Sequence, residues 1–394
     1  MDPAARLQRK NISLYAAFDV FPSAKGAAVH IDRFARCLFE QTGGGLLHVL
    51  GHDSMPAYQR EGRVEIVRFQ ESEPNFLRRT QAYGRQLDRI LAKAGNSLKI
   101  CHFRDPWSGV PVLRHAGHGY KTLYEVNGLP SIELPYSYPS VAPETLDKIR
   151  AVEDFCLHCS NLIVTPAHGI AASLQRRGVP AERIRVIPNG AELAVESMPQ
   201  PPAEWPYILY FGAMQPWQGL ETLLRAFARL LDFPKLKLAI CASVNSRHTK
   251  PYRRLVNRLG LSSRVHWEYA LGQNALDPWR RHALLSVAPL SECSRNLDQG
   301  CSPLKVLESM AAGVPVVASD LPPVREIMQD RVQGRLVSPD RPAELARVIR
   351  VLLEYPEERK RMGEAGREHI RYHFSWERAL ASLRQAYEEL LRNL

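Results

Sequence analysis

The feature that most constrains the fold is a repeat of apolar runs alternating with amphipathic stretches, in two series. "ISLYAAF" (12–18) has the composition of a strand, and "DVFPSAKG" that of a loop. "AAVHIDRFARCLFEQ" then places Ala28, Ile31, Ala35 and Leu38 on one helical face. Gly43, Gly44 and Gly45 stop that helix, and "LLHVLG" predicts the next strand. "KICHF" (99–103), "KTLYEVNG" (121–128) and "NLIVTP" (161–166) predict further strands with helical spacers. Such alternation implies a parallel sheet covered on both faces.

The proline-rich stretch "RIRVIPNGAELAVESMPQPPAEWP" (183–206) breaks the pattern and reads as an interdomain linker, with Asn189–Gly190 as a turn. The alternation restarts with strand "YILYFG" (207–212) and helix "LETLLRAFARLL", whose Leu220, Leu223, Leu224 and Phe227 share a face. "KLKLAICAS", "RVHWEY" and "ALLSVAPL" (283–290) predict more strands. The tail "FSWERALASLRQAYEELLRNL" predicts an amphipathic helix with no strand after it. The expected architecture is α/β, with two Rossmann-like domains facing across a cleft. The first spans 1–195 and the second 196–373; the helix 374–394 packs back on the first. Ligands of open α/β sheets bind outside the carboxyl ends of the strands.

Composition narrows the function classes. The 394 residues are 24% charged and 45% hydrophobic, an ordinary globular mixture. No run is long enough to span a bilayer, and "MDPAARLQRKN" lacks the apolar core of a signal peptide. Seven scattered cysteines fit a reducing cytoplasm, and Cys156 and Cys159 read as two thiols on a helix face. His102, Asp105, His115 and His118 lie close in sequence without a standard ligand spacing, so no metal site is expected. The net charge of +11 is spread over both halves. It fits plain solubility, phosphorylated substrates or an anionic membrane surface; no motif accompanies it that would indicate nucleic acid.

The most informative stretch is "GCSPLKVLESMAAGVPVVASD" (300–320). Ser302 suits an N-cap and Pro303 the first helical position. The predicted helix joins "ALLSVAPL" to "VPVVAS", which puts its N-terminus at the strand carboxyl ends. Lys305 then opposes the helix dipole, at about 0.3–1 kcal/mol. Either it swings into solvent or pairs with Glu308, or an anion sits at the helix N-terminus and the lysine faces it. Glu308 is either a solvated helix residue or an acceptor for two hydroxyls of a ribose.

Residues 300–320 resemble the donor-site signature of the retaining family-4, or group 1, glycosyltransferases with a GT-B fold; "LESMAAGVPVVASD" matches its second half. "SAKGAAVHI" falls where that family has its first glycine-rich loop. "RRGVPAERIRVIPNGAEL" resembles its linker segment, "YILYFGAMQPWQGLETLLRAF" the first strand–loop–helix of its donor domain, and the tail its crossing-back helix. By this resemblance Glu308 holds the donor ribose, and the loop of Ser302, Pro303 and Leu304 contacts donor sugar and diphosphate. Gly26 and Lys25 lie in the first glycine-rich loop, and Gly212 opens the segment of the family's G-R-x4-K-G pattern. The departures are equally specific. Gly300 stands where the first motif glutamate belongs. Ala213 and Gln218 replace the arginine and lysine that bind diphosphate. Asn127 falls where a first-domain histidine near the scissile bond is frequent. Charge on the departing diphosphate must then be met elsewhere, and Lys305, Arg295, Lys25 and Arg104 are the candidate cations.

What these readings imply is a metal-independent glycosyltransferase with no cofactor. It would take a nucleotide diphosphate sugar as donor and a glycan, lipid-linked or small-molecule acceptor, by positioning and leaving-group stabilisation. A GT-B sugar-nucleotide epimerase and a non-catalytic binding subunit of a polysaccharide pathway stay open beside it. The expected location is the cytoplasm. A peripheral site on the inner membrane face is a second option, through Arg78 and Arg79 beside Phe76 and Leu77, with Arg85 and Arg89. "SIELPYSYPS" (131–140) is either a sugar-stacking or a plain rigid surface loop.

Overall fold

The computed structural model describes residues 13–23, 26–193 and 197–392. The chain divides into two compact units, Met1–Ile187 with Ala379–Leu394, and Pro188–Arg378. The division falls earlier than the expected 195/196, a point that lies outside the described residues.

The first unit is built on strands β1 (Ser13–Val20), β2 (Gly45–Leu50), β3 (Tyr58–Glu61), β4 (Val64–Phe69), β5 (Ile100–Phe103), β6 (Lys121–Glu125), β7 (Leu162–Thr165) and β8 (Ile184–Val186). They form one sheet in the order β3-β4-β2-β1-β5-β6-β7-β8. Every pairing is parallel except β3 with β4. The central strands are apolar and buried on both faces, which is why they read as unbroken runs rather than alternations. Helix α1 (Gly26–Thr42) buries the predicted Ala28, Ile31, Ala35 and Leu38. Helix α2 (Phe76–Ala94) carries the basic residues singled out above.

The second unit holds β9 (Tyr207–Gly212), β10 (Lys237–Ala242), β11 (Val265–Tyr269), β12 (Leu285–Ala288), β13 (Val316–Ser319) and β14 (Gly334–Val337). The order is β11-β10-β9-β12-β13-β14, all parallel. Strand order reverses between β9 and β12, the place where open α/β sheets bind ligands. Three helices bear on that point: α3 (Leu220–Phe227), α4 (Gln273–Arg281) and α5 (Leu304–Ala311). The last helix, α6 (Trp376–Arg392), starts in the second unit and joins the first at Ala379. Within the first unit the Tyr387 hydroxyl lies 2.7 Å from His102 Nδ1, and Glu389 pairs with Arg185.

Several expectations need correction. The predicted linker contains a strand, β8, paired parallel with β7; its three residues are too few for a periodic signal. The hairpin β3–β4 and strand β14 also went unpredicted: β3 is polar and half exposed, and β14 is four residues long. Helix α5 begins at Leu304 and its cap is Pro303, whose extended backbone (φ −74°, ψ 93°) offers its carbonyl to the Val306 N–H. No side chain caps that end, so Ser302 is not the N-cap.

Candidate active site

The second unit brings most of the predicted donor residues to one place. β9 ends at Gly212, whose φ of 112° suits glycine and few other residues. A tight turn, Pro216–Gln218, follows, and Gly219 (φ 67°) leads into α3. A Cβ on Gly219 would lie 1.7 Å from the Pro289 carbonyl oxygen, so the loops after β9 and β12 meet backbone to backbone. Two hydrogen bonds fasten them, and a third braces the loop after β12. The Ser291 N–H donates to the Trp217 carbonyl (3.0 Å), and Asn296 Nδ2 donates to the carbonyls of Trp217 (3.0 Å) and Ser291 (2.8 Å). Arg295 opens a short π-helical turn, Arg295–Gln299, and its guanidinium lies 5.4 Å from the centre of the Trp217 ring. Gly300 (φ 86°) turns the chain toward Ser302, Pro303 and Leu304.

Lys305 is where solvent reasoning fails. It neither swings into water nor forms an ion pair with Glu308. Its side chain lies on the sheet face of α5 and is only 7% exposed. Nζ sits 4.0 Å from the centre of the Tyr210 ring, and Cε would touch a Cβ on Gly212 at 3.8 Å. Nζ has no hydrogen-bond partner among the described residues. Burial pushes its pKa down to about 7, against the pull of Glu308 and Cys301. An ammonium held this way over a ring gains on the order of 2 kcal/mol from the π face, far short of full solvation. Gln218 Oε1, on the neighbouring turn, is likewise buried without a partner.

Glu308 has a partner that sequence gave no signal for. Arg280 of α4 places Nη1 at 3.4 Å from its carboxylate. Burial raises the Glu308 pKa, while Arg280 and then Lys305 work to keep it ionised. A carboxylate with one weak charge partner retains acceptor capacity for a diol.

The first unit holds a second constellation, around Glu125 in β6. An acid inside a strand buried on both faces was the available signal in "YEVNG". Its carboxylate, 1% exposed, accepts from the Tyr15 hydroxyl (2.7 Å), His102 Nε2 (3.1 Å), Arg104 Nε (2.8 Å) and Asn127 Nδ2, and His30 Nδ1 lies at 3.1 Å. A carboxylate only accepts, so His102 carries its hydrogen on Nε2, and its Nδ1 accepts from Tyr387. Burial opposes the charge on Glu125, yet His30, Arg104 and His102 hold its pKa well below the usual carboxylate range. Arg104 is shared with Asp19 at 2.5 Å. Arg104 therefore belongs to this network, and so does Asn127. Gly26 is the first residue of α1; Lys25 lies outside the described residues.

His102 is spent on Glu125, Asp105 caps the helix Pro106–Arg114, and His115 pairs with Asp88. The side chain of His118 lies outside the described residues. No group of three potential metal-ligating side chains occurs among the described residues.

Two family models match the chain in succession: Glycosyltransferase Family 4 over residues 24–195 and Glycosyl transferases group 1 over residues 198–369. The chain belongs to the group 1 glycosyltransferases of family 4, with the GT-B fold. Among curated relatives, the D-inositol 3-phosphate glycosyltransferase of Streptomyces coelicolor is 31% identical over 234 residues, 55% of this chain and 50% of the relative. The MMP alpha-(1->4)-mannosyltransferase of Mycolicibacterium hassiacum is 30% identical over 214 residues, 54% of this chain and 50% of the relative. The chain thus spans about half the length of the curated relatives it matches. Among solved structures, sucrose-phosphate synthase from Thermosynechococcus elongatus superposes with a TM-score of 0.80 at 20% identity, over 97% of this chain and 100% of that one. Anabaena HepE in complex with UDP-glucose gives 0.70 at 15%, over 98% and 100%. At these identities the likeness establishes the fold.

Proposed function

We propose that this chain is a metal-independent, retaining glycosyltransferase that moves a sugar from a nucleotide diphosphate donor to a hydroxyl acceptor. The observation that carries the reading is Lys305: a buried ammonium without a hydrogen-bond partner, at the end of β9 and in the first turn of α5, at the strand-order reversal. A cation kept there against desolvation and the helix dipole is explained by an anion that completes it. A diphosphate fits, because the first-turn amides of α5 and the Gln218 amide supply further donors. Ala213 and Gln218 leave no other cation in the positions where the family has two.

In this reading Glu308, kept ionised by Arg280, accepts the two ribose hydroxyls. The bond from the sugar's anomeric carbon to the diphosphate oxygen breaks, and its electrons leave with the diphosphate. Lys305 and the α5 amides take up that growing charge. The acceptor hydroxyl bonds to the anomeric carbon on the face the diphosphate leaves, and its proton passes to a diphosphate oxygen. The relatives named above and the UDP-glucose complex of HepE support a nucleotide sugar as donor.

A thermal-shift series with UDP, GDP and ADP tests the donor half directly, since a ligand that binds only the folded chain raises its melting temperature. One of the three should give a rise that grows with concentration; no rise with any of them removes the reading. The missing glutamate at Gly300 and missing cations at 213 and 218 favour a second reading, a non-catalytic member that binds nucleotide without turnover. Release of nucleotide on addition of acceptor separates the two.

A further inference from the structure

The helix Pro356–His373 of the second unit ends in "HIRYH", which sets two histidines four residues apart. Residues at that spacing are neighbours on one helical face. His369 is half-buried and His373 exposed. Their ring centres lie 4.7 Å apart, with the planes at 44° to each other. With metal–nitrogen bonds of about 2.0–2.1 Å, two imidazoles on neighbouring positions of one ion have ring centres about 4.5–5 Å apart. Ring rotation alone therefore brings the pair onto a common ion.

His369 is already oriented from its other side. Its ring donates to the backbone carbonyl of Ile327, and the Phe374 ring packs beside it, 5.5 Å between centres. A carbonyl only accepts, so the bonded nitrogen carries the hydrogen and the other keeps its lone pair in the neutral ring. Burial, then the nearness of His373, holds the His369 pKa below the usual imidazole range, which favours that neutral ring. A backbone carbonyl behind the ring is the outer partner that metal-ligating histidines commonly have.

Charge and chemistry set the class of ion. The two histidines stand in the last turns of their helix, where the dipole favours a cation. Arg371, between them in sequence, faces the other way and is paired with Glu368 at 2.8 Å. Imidazole nitrogen suits nickel, copper and zinc, whereas magnesium and calcium take oxygen ligands.

We infer that His369 and His373 form a two-histidine site for one divalent transition-metal ion, with water in the remaining coordination positions. The inference does not rest on the glycosyltransferase reading, in which transfer uses no metal.

The test uses the untagged full chain and no turnover. Wild type, His369→Gln, His373→Gln and the double variant Arg371→His/His373→Gln are titrated with nickel(II) by calorimetry at one fixed pH, with magnesium as the control ion. The double variant keeps the 13 histidines of the chain but moves the second imidazole off the shared face. Wild type should show a one-to-one nickel site and no corresponding magnesium binding. Each single variant should bind nickel on the order of tenfold or more weakly, at least the loss that changing an outer partner alone brings. The double variant should not recover it. Copper(II) should bind wild type more tightly than nickel, and its paramagnetic resonance spectrum should show coupling to two imidazole nitrogens, reduced to one in His373→Gln. His373 is exposed, so His373→Gln should keep the wild-type melting temperature without metal; if His369→Gln fails to fold, His373→Gln and the double variant still decide. No nickel site in wild type, undiminished affinity in His373→Gln, or recovered affinity in Arg371→His/His373→Gln overturns the site.

Discussion

Lys305 shows how one side chain can oppose its surroundings. Its folded pKa, about 7, lies below the unfolded value of about 10.4. Between those values the unfolded chain holds more protons than the folded one, so unliganded stability rises with pH from about 7 upward. Below about 7 both states are protonated and the penalty is complete. Lys305→Met should therefore raise unliganded stability at pH 7, on the order of 1–2 kcal/mol, and flatten that pH dependence, as read by urea unfolding across the window. The diphosphate prefers the ammonium, so donor affinity in the wild type should fall as pH rises above about 7, and Lys305→Met should lose that slope. Turnover in Lys305→Ala should drop on the order of 100- to 1,000-fold, with KM changed less, because charge on the leaving group grows toward the transition state. Normal turnover, or activity lost only through unfolding, would return Lys305 to a packing role.

Glu308 makes a simpler case. Glu308→Ala should weaken nucleoside diphosphate binding by about 1.5–3 kcal/mol, the range for hydrogen bonds to a charged group. Calorimetry measures this, and a folded variant with unchanged affinity would sink the ribose assignment.

Among the elements, the junction of the loops after β9 and β12 sets the donor site of the proposed reading. Gly219→Ala would have to accept both a positive φ and contact with the Pro289 carbonyl. The backbone conformation alone carries about 1–3 kcal/mol, so unfolding should begin at clearly lower denaturant and donor affinity should fall with it. Wild-type behaviour in both would mean the junction is not rigid. The longer strands of both sheets, apart from β4, and helices α1, α3, α5 and α6 were legible because buried parallel strands are continuous apolar runs and helices show one apolar face. β8 and β14 were not, since three or four residues carry no period. The donor loop was readable from "SPLKVLES" as a motif, but not the destination of Lys305, which depends on β9 lying beneath α5. Arg280 was invisible for the same reason: it joins Glu308 through the packing of α4, far away in sequence. Glu125 was readable as an anomaly, an acid within an apolar strand. Its partners on β1, β5 and α1 became visible only once the sheet order was known.

For the whole molecule, the charge of +11 raises the matter of anionic surfaces. No helix among the described residues is long and apolar enough to cross a membrane. Phe76 of α2 packs edge-on against Phe18 and Trp107, with Arg79 near its face, which leaves Arg78, Arg85 and Arg89 as an exposed basic set. The apolar part of that face is largely spent. Any attraction to anionic vesicles should therefore be electrostatic, worth about 1 kcal/mol per basic residue. Sedimentation should show binding at low salt that disappears at high salt and in Arg78→Glu/Arg85→Glu/Arg89→Glu. Binding that survives high salt would point to apolar insertion instead.

The central claim is transfer from a nucleotide sugar. Its most direct measurement is nucleoside diphosphate release from UDP-, GDP- and ADP-sugars, with and without a panel of hydroxylated acceptors, in the absence of added metal. The account predicts that one donor releases nucleotide in an acceptor-dependent way, that the product keeps the donor's anomeric configuration, and that Lys305→Ala abolishes most of the release. A sugar altered without any acceptor, an inverted product, or nucleotide that binds but is never released by any acceptor would contradict it.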